Sequence, residues 1–151
     1  MAIFITDEQQ LKILNEASKK EVETKLKRRS ESLFLHLLKL YYWGYDEYVK
    51  RYWIKEISNM YIDVSKLPNN KYPSKENIEK LIWENNDLEN LARILNKDKN
   101  YSKYPNIKID YNAKEFCIKY VEWLSEALSL NGKIDNTDAQ DFLLDLYNEY
   151  N

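Results

Sequence analysis

Two glycines and three prolines in 151 residues leave this chain short of the residues that make tight turns. Sandwiches and barrels of β-strands, which turn often, are therefore not expected. One cysteine, Cys117, excludes an internal disulfide, and one histidine, His36, excludes a zinc site built from several His and Cys ligands. With so little glycine a phosphate-cradling loop is scarcely available, and no nucleophile elbow or zinc motif occurs. No metal and no cofactor is expected. Long apolar runs are missing too. The longest, Leu33–Trp43, is interrupted by His36 and Lys39 and falls well short of the ~20 residues a helix needs to cross a bilayer. The first residues, MAIFITDEQQ, lack the basic region and apolar length of a secretory signal. These absences point to a cytoplasmic chain without a membrane partner.

What the chain does have suits helices. Leu, Lys, Glu and Ile are abundant, and 44% of the residues are hydrophobic. That is enough for one core, and residues 1–151 are read as a single domain. The net charge of −2 announces neither nucleic acid nor a membrane surface. Its distribution is uneven, however. Lys19–Arg29 is the densest basic segment, whereas the charged residues after Ile134 are all acidic: Asp135, Asp138, Asp141, Asp145 and Glu149.

Thr6-Asp7-Glu8-Gln9 is a capping-box pattern. Behind it Leu11, Leu14, Ser18, Val22, Leu26, Leu33, Leu37 and Leu40 recur at helical spacing. They predict one long helix, with a break near Ser30, whose second half is the central helix of the domain. Gly44 suits its end. A second helix is expected over Asp46–Met60, with Val49, Trp53, Ile57 and Met60 on one side, Tyr45, Tyr48 and Tyr52 on another, and Glu47, Arg51 and Lys55 as a charged ladder. Asp63–Pro73 reads as a loop, Ser74 as the cap of a third helix, and Asn85-Asn86 as an interruption. Asn96–Ile109 is a polar loop whose Ile107-Lys108-Ile109 alternates like a strand without an obvious partner. Asp110 or Asn112 opens the next helix, with Ala113, Phe116, Cys117, Tyr120, Leu124 and Leu128 inward, and Asn131-Gly132 closes it. Thr137-Asp138-Ala139-Gln140 is a second capping-box pattern, starting a last helix with Ala139, Phe142, Leu143, Leu146 and Tyr150 as its stripe. The expected fold is all-α, a compact bundle of about five to six helices around Leu33–Trp43.

The run Arg29-Ser30-Glu31-Ser32-Leu33-Phe34-Leu35-His36-Leu37-Leu38-Lys39, with Trp53 and Ile57 farther on, resembles the signature of a bacterial family catalogued as domain of unknown function 29. The likeness covers about residues 10–62. The family's pattern continues with Gln-Arg where this chain has Ser58-Asn59-Met60, and the C-terminal half does not match. The resemblance implies a compact helical bundle and transfers no activity.

Several clusters could carry chemistry. His36 is the one side chain that titrates near neutrality unaided, and Ser32 and Lys39 lie within one helical turn of it. An ordinary core-edge histidine explains it better. Gly132-Lys133-Ile134-Asp135 with Asp138 resembles the second half of an EF-hand loop, but Ala127 then stands where the first carboxylate ligand is needed. Asp138, Asp141 and Asp145 share a helix face and suit either solvent or a basic partner, including a basic helix of the same chain. Lys25, Lys27, Arg28 and Arg29 spread over several faces, and Lys50 and Arg51 interleave with tyrosines, a pairing that single-stranded nucleic acid can use.

The expected function is a non-catalytic helical interaction module that binds another protein or associates head-to-tail with itself. Exposed aromatics of Tyr45–Tyr61, chiefly Tyr45, Tyr48 and Tyr52, and the acidic row Asp138, Asp141 and Asp145 would form its surface, because aromatic residues carry interface energy. Size and composition suit a small inhibitor or regulator carried by a phage or mobile element. The rival expectation is a nucleic-acid-binding protein using Lys25, Lys27, Arg28, Arg29, Lys50 and Arg51. An enzyme centred on His36 is the weakest class.

Overall fold

The computed structural model describes residues 6–62, 64 and 72–151. Six α-helices account for most of them: α1 (Asp7–Trp43), α2 (Glu47–Asn59), α3 (Lys75–Trp83), α4 (Leu88–Lys97), α5 (Tyr111–Asn131) and α6 (Asn136–Tyr150). A short 3-10 turn, Lys99–Tyr101, follows α4, and no strand occurs among the described residues. The expected all-α bundle is what forms. Most of the predicted loop falls on residues 63 and 65–71, which lie outside the described residues.

Helix α1 organises the rest. Its start is the capping box read from the sequence: the Gln9 amide donates to Thr6 Oγ1 at 3.1 Å and the Thr6 amide to Gln9 Oε1 at 3.0 Å. Thirty-seven residues make it about 55 Å long. It packs against α2, α3, α4 and α5, while α6 joins through α2 and α5. Leu33, Phe34, Leu37, Leu38 and Leu40 are fully buried, so the apolar second half is the centre of the core.

Two expectations for α1 change. The helix is unbroken at Ser30, because the buried hydroxyl donates to the Lys27 carbonyl at 2.8 Å and accepts from Asn86 Nδ2 at 2.9 Å. Leu11 and Leu14, placed by their spacing on the core stripe, are 40% and 58% exposed. Val22 is the first buried hydrophobic residue of this helix.

The connections follow local chemistry. Ser74 caps α3 by accepting from the Asn77 amide at 3.2 Å. Asn85 takes the left-handed conformation (φ 63°), and Asn86 ties the turn to the Ile82 carbonyl, separating α3 from α4. Ile107-Lys108-Ile109 is extended but joins no sheet. The Asn96 side chain pairs with both backbone groups of Ile107, and Tyr42 holds Lys108 and Asp110. Asp110 caps α5, accepting from the Ala113 amide at 2.8 Å. Gly132 ends α5 at φ 67°, where an added Cβ would sit 2.6 Å from the Tyr72 ring. The last helix starts earlier than expected. Asp135, not Thr137, is its cap, accepting from the Asp138 amide at 3.0 Å. This start puts the buried Ile134 just before the cap and the buried Ala139 four residues into the helix, the arrangement of a hydrophobic staple.

A candidate interaction face on α2 and α6

Asp46 opens α2 by accepting from the Val49 amide at 3.1 Å. At about 100° per residue, Trp53, Ile54, Ile57 and Ser58 then turn into the core. Tyr45, Tyr48 and Tyr52, spaced by three and four, turn outward and are 67%, 83% and 55% exposed. The aromatic surface is narrower than the expected Tyr45–Tyr61, since Trp53 and Tyr61 are buried. The Tyr61 hydroxyl points at the Leu26 carbonyl, and burial raises its pKa. Three large exposed aromatics, one in the turn before a helix and two on it, opposite its core side, are not needed for folding.

Helix α6 lies beside α2 and antiparallel to it. Asn59 bonds Asn136 at one end, and Lys50 Nζ sits 5.0 Å from the centre of the Tyr147 ring at the other. Between them a groove of about 360 Å³ is lined by Glu47, Lys50, Arg51, Ile54 and Lys55 from α2 and Gln140, Asp141 and Leu144 from α6. Glu47 holds Lys50 at 2.9 Å and Arg51 at 3.4 Å, and these cations keep its carboxyl below the usual range. Asp138, Asp141 and Asp145 are all exposed. The tyrosines, the Lys50/Arg51 pair and the acidic row thus lie on two adjacent helices and the turn before one of them, and of these Lys50, Arg51 and Asp141 line the groove between the helices. Lys55, read from the sequence only as a rung of the charged ladder, and Leu144, which the sequence reading does not name, belong to the same surface. The signal was present: Lys55 follows Arg51 by four, and Leu144 is a leucine off the stripe of α6.

The α1 basic cluster is otherwise engaged. Arg29 donates to the Met60 carbonyl at 2.7 Å, closing the end of α2. Lys25 pairs with Glu21 at 3.3 Å and Lys27 with Glu84 at 3.6 Å, while Arg28 faces solvent. The cluster does not join the α2–α6 face.

His36 makes no catalytic pair with its neighbours. Its Nδ1 is 2.7 Å from the Ser32 carbonyl, the geometry of an N–H donating along the helix, and the Ser32 hydroxyl is 3.4 Å away. Lys39 is buried and turns elsewhere, donating to the Tyr101 hydroxyl at 2.7 Å. Burial lowers the His36 pKa below its ordinary value, against the Ser32 carbonyl and Glu56, which raise it, while Lys39 lowers it further. The unfolded chain therefore takes up this proton more readily. The contribution is fully present above the unfolded pKa and is lost as pH falls through it toward the folded value. Wild type is expected to lose more stability than His36→Gln between pH 7.5 and pH 5, measured by urea unfolding. An equal loss in both would mean that His36 does not titrate differently on folding.

Cys117 is fully buried, which pushes its thiol up to about 12 and leaves it inert as a nucleophile. No group of three His, Cys, Asp or Glu residues able to hold a metal occurs among the described residues. The glycine of the EF-hand-like run serves as the cap of α5. No helix among the described residues is long and apolar enough to cross a membrane. Compared with family models, curated proteins and solved structures, the chain matches none.

Proposed function

We propose that the protein is a non-catalytic interaction module that binds protein through the α2–α6 face. The observation that carries this reading is the outward trio of Tyr45, in the turn before α2, and Tyr48 and Tyr52 on the helix, which Trp53 and Ile57 anchor in the core. Tyrosine offers a large rigid area with a polar tip, the composition of interface hot spots. Around it lie Arg51 and Lys55 on one side and Leu144 and Asp141 across the groove, the polar rim such a surface needs. The residues behind the likeness to domain of unknown function 29 support only the bundle. Arg29 caps α2, and Leu33, Leu37, Leu38, Trp53 and Ile57 are core.

Cations interleaved with Tyr48 and Tyr52 favour a second reading, stacking of single-stranded nucleic acid. Glu47 offsets only one of the two charges of Lys50 and Arg51, but the neighbouring aspartates would repel phosphate, so protein is the better fit. Affinity capture from lysate on wild type and on a Tyr45/Tyr48/Tyr52→Ala variant, with and without nuclease, decides between them. A stoichiometric protein retained by wild type, lost by the variant and indifferent to nuclease is expected. Equal recovery on both baits would reject the face, and nuclease-sensitive recovery would favour the nucleic-acid reading.

A further inference from the structure

The α2–α6 face is self-complementary in charge. The exposed cations Arg51 and Lys55 line the groove from α2 and the exposed anion Asp141 from α6, with the exposed Asp145 one turn further along α6. Within one chain these rows do not neutralise each other. Arg51 reaches only Glu47, and Lys55, Asp141 and Asp145 have no ion-pair partner among the described residues. From these observations we infer that the partner of this face is a second copy of the same chain, docked about a two-fold axis that runs along the groove, parallel to both helices. The inference rests on the reading of the face as a protein-binding surface.

The antiparallel register makes the geometry work. Asn59 meets Asn136, and Lys50 lies over Tyr147, so Lys55 is level with Asp141 and Arg51 with Asp145 to about one residue, ~1.5 Å of rise. A rotation about an axis parallel to the helices leaves heights unchanged. It carries α6 of one copy over α2 of the other, bringing each aspartate above the cation already level with it. The same rotation repeats both pairs on the other half, as an isologous interface requires. Tyr52 and Leu144, both exposed, are level with each other between the two charged pairs. Asp138 lies level with the last turn of α2, beyond the cations, and takes no part.

The face is small. Two helices of about 20 Å, set 8–10 Å apart, give a contact at the low end of specific interfaces, which suits a reversible dimer of micromolar affinity. Charge pairs at its rim set orientation and salt dependence more than affinity. The dimer is expected to dissociate as salt is raised.

Sedimentation velocity over a concentration series tests this with two charge-reversed variants, Arg51→Glu/Lys55→Glu and Asp141→Lys/Asp145→Lys. Wild type is expected to dimerise. Each variant alone places like charges on both halves of the interface and is expected to dimerise at least ~30-fold more weakly. An equimolar mixture of the two restores opposite charges on both halves and is expected to recover the dimer as a heterodimer. Recovery on mixing also shows that both variants are folded. A monomeric wild type, homodimers unaffected by the reversals, or a mixture that stays monomeric would each overturn the inference. If wild type is monomeric while tyrosine replacement still abolishes capture of a different protein, only the second-copy inference fails. If neither self-association nor tyrosine-dependent capture occurs, the interaction reading fails with it.

Discussion

Replacing Trp43 with alanine is expected to lower unfolding stability by about 4 kcal/mol, the upper range for loss of a buried aromatic. Trp43 is 1% exposed and closes α1 just before Gly44. Its ring stacks on Tyr104 at 4.7 Å and 15°, with Tyr101 at 5.4 Å and Trp53 at 6.3 Å around it. The indole N–H donates to the Pro105 carbonyl at 3.0 Å. Alanine would remove the area buried by the ring and leave a cavity between three aromatic walls. It would also leave the Pro105 carbonyl without its donor, a further cost if water cannot reach it. Those walls come from α2, the 3-10 turn and the loop after it, so rearrangement cannot refill the space by moving one element. Urea unfolding followed by circular dichroism measures the loss. Trp43→Phe should recover part of it, since it keeps a six-membered ring but loses the pyrrole part of the indole and the hydrogen bond. A loss below about 1 kcal/mol for the alanine variant would mean that this cluster contributes little to the core.

The ends of the helices were easier to read from sequence than their neighbours. Thr6, Ser74 and Gly132 act within three or four residues of themselves, and local pattern located them, whereas for α5 it left Asp110 and Asn112 both open. The capping-box pattern pointed to Thr137 alone for the last helix; the cap is Asp135, with the buried Ile134 just before it, and burial is a property of the packed molecule. The α1 stripe was legible as a stripe but not as a contact surface. Leu11 and Leu14 have the same periodicity as Val22 and Leu26, and only the packed molecule shows that the first pair is exposed and the second buried. The candidate face divides in the same way. Three tyrosines on one side of α2 follow from their spacing. That α6 lies beside α2, antiparallel and in register with its cations, is a long-range fact with no local signal. The alternation of Ile107, Lys108 and Ile109 was a true sign of extended backbone, and its partners proved to be side chains from α4 and α1.

That side-chain pairing makes Asn96 the second residue whose loss should be large. Its Nδ2 donates to the Ile107 carbonyl at 2.9 Å, and its Oδ1 accepts from the Ile107 amide at 2.7 Å, the double bond that a neighbouring strand would make. Ile107 and Ile109 are buried, so their backbone has little access to water. Tyr42 continues the pairing, its hydroxyl donating to the Lys108 carbonyl at 2.7 Å and accepting from the Asp110 amide at 3.2 Å. Asn96→Ala removes the donor and the acceptor at once and strands two buried backbone groups, at a cost of about 2–3 kcal/mol. Asn96→Asp is not a conservative repair. It keeps an acceptor for the Ile107 amide but sets a carboxylate oxygen against the Ile107 carbonyl, where a donor is required. Hydrogen exchange separates a local effect from a global one. The Ile107 amide should lose protection well beyond what the fall in global stability explains, whereas amides within α5 should follow global stability alone. A protected Ile107 amide in Asn96→Ala would show that the loop is held by its two buried isoleucines and not by the asparagine. The same loop carries Tyr104 and Pro105 against Trp43, so the Asn96 amide also helps to fix the far wall of the aromatic cluster from which α2 projects its tyrosines.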